Sequence, residues 1–91
     1  MASTTCFDPG GRWALSDAVS LRDEEFGALA YHHGTRRLVF LKSRELVELV
    51  RRLDQFDSAE LALAATVAPK ELSRYRSALA SLASSEIIRG C

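Results

Sequence analysis

Two adjacent histidines, His32 and His33, are the residues whose type is best suited to chemistry, because imidazole both binds metals and transfers protons. Successive residues of a strand point to opposite faces, so the pair cannot ligate one ion in a regular strand. No HxxH or HExxH spacing accompanies them. We therefore interpret the pair as a solvated or turn-capping feature.

Other reactive side chains also lack the partners that catalysis requires. Ser43 and Ser58 stand just before helical patterns and are better explained as helix caps than as nucleophiles. The carboxylates of Glu24 and Glu25 are consecutive and diverge, which disfavours general acid–base work. The sequence contains no glycine-rich phosphate loop. We expect a non-catalytic protein with no metal and no cofactor.

The composition is that of one ordinary globular domain. The 91 residues are 47% hydrophobic and 26% charged, and twelve basic side chains balance twelve acidic ones. Nucleic-acid binders usually carry a positive excess, so this balance argues against them. Cys6 and Cys91 have no metal-ligand spacing, and no signal peptide or bilayer-length apolar run appears. We expect a cytoplasmic protein with free thiols and no membrane segment.

The charge is nevertheless uneven along the chain. Residues 36–52 hold six basic and two acidic side chains, a local balance of +4, whereas residues 1–35 hold two basic and five acidic ones, a balance of −3. Such a basic middle section indicates either an acidic partner or simply a solvated charged surface.

The first half of the chain has the pattern of a β-meander. Residues 1–11 are small, polar and rich in turn-forming types, and we expect a flexible tail before a single domain at 12–91. Alternating apolar residues predict a first strand from Trp13 to Leu21 with a bend at Ser16-Asp17, a second over 26–31 and a third over 37–42. We expect Gly34 to supply a positive φ in the turn between the last two.

From Ser43 onward the apolar spacing becomes helical. Ser43 is the expected N-cap of a first helix, and the Asp57/Glu60 capping box predicts the start of a second. Pro69 suits the first turn of a third, which should end before residue 87. The predicted apolar faces are Leu46, Val47, Leu49, Val50 and Leu53; then Leu61 and Leu63; then Leu72, Tyr75, Leu79 and Leu82. The fold class is α+β, a three-stranded antiparallel meander followed by three helices.

The third strand is the most informative segment. Leu38-Val39-Phe40-Leu41 is apolar on both faces, and the last strand of a meander is also a sheet edge. The face away from the helices would show either Leu38 and Phe40 or Val39 and Leu41. Three explanations stay open: a fully buried strand, a homodimer contact, and β-augmentation by an incoming peptide. In the last case Arg36, Arg37 and Lys42 would favour an acidic peptide.

Several blocks of the sequence resemble the mycofactocin precursor-binding protein family, which consists of stand-alone PqqD-like peptide chaperones. The blocks are VSLR at 19–22, FGALAYHHGTRRLVFLKS at 26–43 and YRSALASL at 75–82, and the likeness covers residues 12–90. The resemblance implies a winged helix-turn-helix domain, a precursor-recognition element without an iron–sulfur cluster. It also implies that the acidic leader of a precursor peptide binds as an extra strand and is presented to a radical S-adenosylmethionine maturase.

Transferred by position, the resemblance gives two walls of a binding groove. The third strand is one wall and the third helix is the other. The candidate peptide-binding residues, together with the flanking arginine, are Arg36, Arg37, Leu38, Val39, Phe40, Leu41, Lys42, Tyr75, Arg76 and Leu79.

A winged helix-turn-helix fold could also bind DNA, which is the main rival function. A recognition helix is usually dense in basic and amide side chains. The third helix offers Lys70, Arg74 and Arg76, offset by Glu71 and Glu86. The sequence therefore favours a peptide over nucleic acid as the partner.

Overall fold

The computed structural model describes residues 7–90, in which a three-stranded sheet and a two-stranded ribbon flank three helices. The prediction of an α+β chain with a three-stranded antiparallel meander and three helices is confirmed. Short 3₁₀ turns at Leu53–Gln55 and Pro69–Glu71 connect the helices. In chain order the elements are β1 Trp13–Leu15, β2 Val19–Glu24, β3 Gly27–His32, β4 Leu38–Leu41, α1 Arg44–Arg52, α2 Ala59–Thr66, α3 Leu72–Ser84 and β5 Ile88–Gly90.

The meander consists of β2, β3 and β4 in that spatial order. β2 pairs with β3 along its whole length, with Val19 opposite His32. β4 pairs with β3 so that Leu38 lies opposite Tyr31 and Leu41 lies opposite Ala28. Within residues 7–90 no strand pairs with the other side of β4, which is therefore a sheet edge as predicted.

The predicted first strand is in fact two strands that belong to different sheets. At the expected bend, the Ala18 N–H donates to Ser16 Oγ at 3.2 Å, and the chain changes direction. β1 leaves the meander and pairs with β5, with Leu15 opposite Ile88. β5 was not predicted, because a three-residue strand is too short for its alternation to be recognised.

The turn between β3 and β4 differs from the prediction at one residue. Arg36 has the positive φ, 62°, and Gly34 does not, so the expected role of Gly34 is wrong. The Arg36 N–H donates to the His32 carbonyl oxygen at 2.7 Å, which closes the turn. His32 Nδ1 accepts the N–H groups of Gly34 and Thr35, each at 3.1 Å. His32 is buried and caps the turn, which is one of the two roles expected for the histidine pair.

The helix starts follow local capping, with one correction. Ser43 Oγ accepts the Leu46 N–H at 3.0 Å, so α1 begins where it was predicted. For α2 the cap is Ser58, whose Oγ accepts the Leu61 N–H at 3.1 Å; its expected role as a cap is confirmed, and the capping box at Asp57 is wrong. Leu61 was also placed wrongly on the buried face, since 52% of its surface is exposed.

The helices pack their apolar faces against the inner face of the meander. Tyr75, Leu79 and Leu82 of α3 are buried, as their spacing predicted. Ala28 and Ala30 of β3 have no exposed surface, which allows close approach of the helices. The largest fully buried side chains are Leu41, Leu49, Val50, Leu53, Leu63, Leu79, Ile87 and Ile88.

The segment before β1 is held on the start of α2. Of the predicted flexible tail at 1–11, residues 1–6 lie outside the described residues. The Pro9 carbonyl oxygen accepts the Glu60 N–H at 2.8 Å, and the Gly11 carbonyl oxygen accepts the Ala59 N–H at 3.0 Å. Residues 7–11 thus satisfy the unpaired N–H groups of the first turn of α2.

Candidate functional site

The backbone of β4 presents hydrogen-bonding groups to solvent. The His32 N–H donates to the Arg37 carbonyl oxygen at 2.9 Å, which fixes the phase of the β3–β4 ladder. Because hydrogen-bonded and non-hydrogen-bonded pairs alternate in an antiparallel ladder, Val39 and Leu41 bond to β3. The N–H and C=O groups of Leu38 and Phe40 then point away from β3, toward the free edge. These four groups can receive another strand.

The side chains of β4 divide between two environments. Leu41 has no exposed surface and Val39 packs against the core, whereas 53% of Leu38 and 54% of Phe40 is exposed. The choice left open by the sequence is thereby settled in favour of Leu38 and Phe40 as the outward pair. A fully buried β4 is also excluded.

An apolar surface continues from this pair across the sheet. The Phe26 and Phe40 rings meet edge to face, with centroids 5.8 Å apart. Phe40 lies opposite Leu29, and Leu38 lies opposite Tyr31. We call this surface the outer face, formed by Phe26, Leu29, Tyr31, Leu38 and Phe40.

Three cations stand at the ends of β4. Arg36 and Arg37 precede the strand, Lys42 follows it, and all three are exposed. Within residues 7–90 none of the three forms an ion pair, whereas five other arginines each have a carboxylate partner. The ends of β4 therefore carry positive charge that the rest of the described fold does not neutralise.

The helix wall meets β4 at the strand's C-terminal end. Ser43 Oγ and the Tyr75 hydroxyl are 2.9 Å apart in a hydrogen bond that joins the start of α1 to α3. A cavity of about 130 Å³ opens beside this bond. It is lined by Lys42, Ser43, Leu46, Arg74, Tyr75 and Ala78.

The three predicted helix residues occupy different places. Tyr75 lines the cavity, while Leu79 is fully buried in the core and does not line it. Arg76 is turned toward α2, where its Nη2 lies 2.6 Å from Glu60 Oε2. The hydrogen bond to Glu60, aided by the charge of that carboxylate, raises the pKa of Arg76.

Two residues of α3 that the sequence analysis did not select reach the cavity. Arg74 and Ala78 line it, one helical turn apart. The sequence signal for these two residues was their spacing, one residue before and three residues after Tyr75. They were not predicted because only the buried stripe of α3 was considered, whereas a groove is lined by the residues that flank a buried face.

Features of other functional classes are not found in the part of the chain that the structure describes. Over residues 7–90 no three side chains of the His, Cys, Asp or Glu types are grouped closely enough to hold a metal ion. No helix in the same range has the length and apolar character that crossing a bilayer requires. The two arginines of α3 have carboxylate partners, Arg74 with Glu71 and Arg76 with Glu60.

Comparison with known proteins identifies the family. Residues 12–89, which include the whole of β4 and α3, match the peptide chaperone MftB family. The chain belongs to this family. It is 44% identical over 89 residues to a peptide chaperone MftB of Mycolicibacterium smegmatis, a match that covers 97% of this chain and 87% of that protein.

Further relatives carry the same name. A peptide chaperone MftB of Mycobacterium ulcerans is 43% identical, and one of Mycobacterium tuberculosis is 39% identical. Each match covers 96% of this chain and 81% of the relative. No solved structure matches the chain. Membership of the MftB family confirms the resemblance drawn from the sequence, and with it the expectation of a peptide-binding chaperone that is not an enzyme.

Proposed function

We propose that this chain binds the leader of a ribosomally made precursor peptide by adding it as a fourth strand beside β4. The observation that carries the proposal is the free edge of Leu38 and Phe40, whose four backbone groups point to solvent. The recurring use of such edges for peptide capture supports it, because backbone bonds give affinity and alternate side chains give specificity.

The proposed binding residues act in different ways. Leu38 and Phe40 offer the backbone groups, Val39 and Leu41 hold the strand on the core, and Arg36, Arg37 and Lys42 attract carboxylates. Tyr75 forms the helix wall beside them. Leu79 and Arg76 hold α3 in place, since Leu79 is buried in the core and Arg76 is bound to Glu60 of α2.

An acidic leader fits the charge of this site. Three unpaired cations lie within seven residues of sequence, so each carboxylate of a bound peptide would find a positive partner without breaking an existing ion pair. Electrostatic complementarity of this kind chiefly increases the association rate and sets partner choice. The affinity itself would come from strand pairing and apolar contact.

Family membership supports the proposed pathway and partner. The chain would act in the cytoplasm in mycofactocin biosynthesis, as a domain of winged helix-turn-helix type that presents the bound precursor to a radical S-adenosylmethionine maturase. It would need no cofactor of its own, since the chemistry would belong to the maturase. The chaperone's contribution is to hold the leader in one extended conformation, which lowers the entropic cost of recognition by the enzyme.

Titration of the ¹⁵N-labelled protein with a synthetic mycofactocin-precursor leader tests this proposal. We expect saturable shifts concentrated in residues 37–42 and 74–82. Saturable binding that leaves 37–42 unmoved would contradict strand addition. A parallel titration with duplex DNA should produce no saturable shifts, and saturation there would favour the winged-helix DNA-binding alternative. Concentration-dependent shifts of 37–42 without any ligand would instead indicate a homodimer.

A further inference from the structure

The outer face gives the bound segment a side-chain pattern that goes beyond acidity. In an antiparallel pair, residues directly opposite one another place their side chains on the same face. A strand bonded to Leu38 and Phe40 would therefore project two alternate side chains over the outer face, next to the half-exposed Leu38 and Phe40 and the Phe26 ring. Apolar side chains at those two positions would extend an apolar surface that is already in place.

The other face of the bound strand meets a different environment. On that side Val39 and Leu41 are engaged with the core, and the cavity against α3 measures only about 130 Å³. Lys42 and Arg74 line this cavity, so it is bordered by charge. This side therefore offers a mixed lining, in which Leu46 and Ala78 stand beside the two charged residues, whereas the outer face is formed by apolar and aromatic side chains.

The cations set the limits of the pattern. Lys42 stands two residues after Phe40, and Arg37 stands one residue before Leu38. Guest residues opposite Lys42 and Arg37 are therefore five positions apart, and Arg36, in the turn just before Arg37, adds positive charge at that end. Carboxylates at these positions would bracket the two apolar residues.

The same cations act against a second copy of this chain. Two β4 edges can pair only through Leu38 and Phe40, the residues whose backbone groups face outward. The antiparallel register that uses both sets Leu38 opposite Phe40, and it brings Lys42 of each copy to the end of the other copy's β4, where Arg36 and Arg37 stand. Like charges brought together across a strand pair destabilise it, and charge at an edge is a common device against self-association.

We propose, building on the strand-addition function, that the site selects an amphipathic strand: two alternate apolar residues over the outer face, bracketed by carboxylates five residues apart. Lys42 and the arginines thereby distinguish an acidic-ended peptide from another copy of the chaperone.

A matched pair of leucine variants tests the apolar recognition. Leu38 and Leu61 are 53% and 52% exposed, but only Leu38 lies on β4. We expect Leu38→Ser to weaken leader binding roughly tenfold by calorimetry, in line with the loss of one apolar anchor. Leu61→Ser, on α2, should bind as the parent does. Equal affinity of the two variants would overturn the apolar recognition.

A matched pair of lysine variants tests the exclusion of a second copy. Lys42→Glu makes the two β4 edges complementary, because the introduced carboxylate of one copy then lies at the end of β4 where the other copy carries Arg36 and Arg37. Sedimentation should show concentration-dependent dimers for Lys42→Glu and an unchanged monomer for Lys70→Glu, a variant with the same charge change at another exposed lysine. A Lys42→Glu protein that stays monomeric would overturn the exclusion.

Failure of this inference is distinguishable from failure of the proposed function. If Leu38→Ser binds normally while the leader still shifts residues 37–42, strand addition stands and the side-chain pattern is wrong. If the leader causes no shifts in the parent protein, the proposed function itself is wrong.

Discussion

Gly27, the first residue of β3, lies directly against the backbone at the end of β4. Its φ is 150°, and a β-carbon there would overlap the Leu41 carbonyl oxygen. We expect Gly27→Ala to lower the free energy of unfolding by about 3 kcal/mol or more, because both the backbone conformation and the packing become strained. Urea unfolding measures this. Gly10→Ala, which meets only Asp8 at ordinary contact distance, should change stability by less than about 0.5 kcal/mol, and equal effects would contradict the argument.

Glu86 is a second residue in a conformation that favours glycine. It lies two residues after the last residue of α3 and has a φ of 65°. The Ile87 N–H donates to the Leu82 carbonyl oxygen at 2.9 Å, which is the hydrogen bond of a Schellman motif. Glu86→Gly should stabilise the protein by about 0.5–1 kcal/mol, measured by thermal unfolding, since the left-handed strain is removed. The same substitution at exposed Glu48, inside α1, should destabilise it by about 1 kcal/mol. A loss of stability at Glu86 would contradict this account.

At the scale of elements, predictability followed the range of the interaction. The start of α1 was predicted correctly because its signal, Ser43 three residues before Leu46, is contained within one turn. The start of α2 was misplaced by one residue because Asp57 and Ser58 both suit an N-cap. Glu60, which completes the apparent capping box, is instead bound by Arg76, sixteen residues away. No local pattern reports such a contact.

The strands show the same limit more strongly. β2, β3 and β4 are consecutive hairpins with clear alternation, and their meander was predicted. The pairing of β1 with β5 joins residues at opposite ends of the described chain, such as Leu15 and Ile88, which periodicity cannot show. The edge wall of the site was therefore predictable, whereas the helix wall depended on the tertiary position of Arg74 and Ala78.

The Ser43–Tyr75 hydrogen bond ties α3, the helix wall of the site, to the chain just after β4, the strand wall. We expect Tyr75→Phe to cost about 0.5–1.5 kcal/mol, and Ser43→Ala to cost about 1–2 kcal/mol because it also removes the α1 cap. A double-mutant cycle from denaturant unfolding should give a coupling energy of about 0.5–1 kcal/mol. Strict additivity of the two changes would mean that the walls are not joined through this bond.

At the scale of the whole molecule, a net charge of zero conceals a directed distribution of charge. Screening weakens interactions between exposed charges beyond about 10 Å at 0.1 M salt, so binding driven partly by Arg36, Arg37 and Lys42 should weaken as salt rises. We expect Arg37→Glu to weaken leader binding about tenfold and to flatten this salt dependence, measured by calorimetry across salt concentrations. Arg12→Glu carries the same charge change at an exposed site before β1 and serves as the control. If Arg37→Glu and Arg12→Glu changed the leader affinity and its salt dependence equally, the basic section would be merely a solvated surface.

The central claim, that a peptide backbone adds to the free edge of β4, is tested most directly by residue-resolved amide hydrogen exchange. The Val39 and Leu41 N–H groups face β3 and should be protected in the free protein, while those of Leu38 and Phe40 face solvent and should exchange quickly. Saturating leader peptide should slow exchange at Leu38 and Phe40 by at least about tenfold. Unchanged fast exchange at both residues in the saturated complex would contradict the claim.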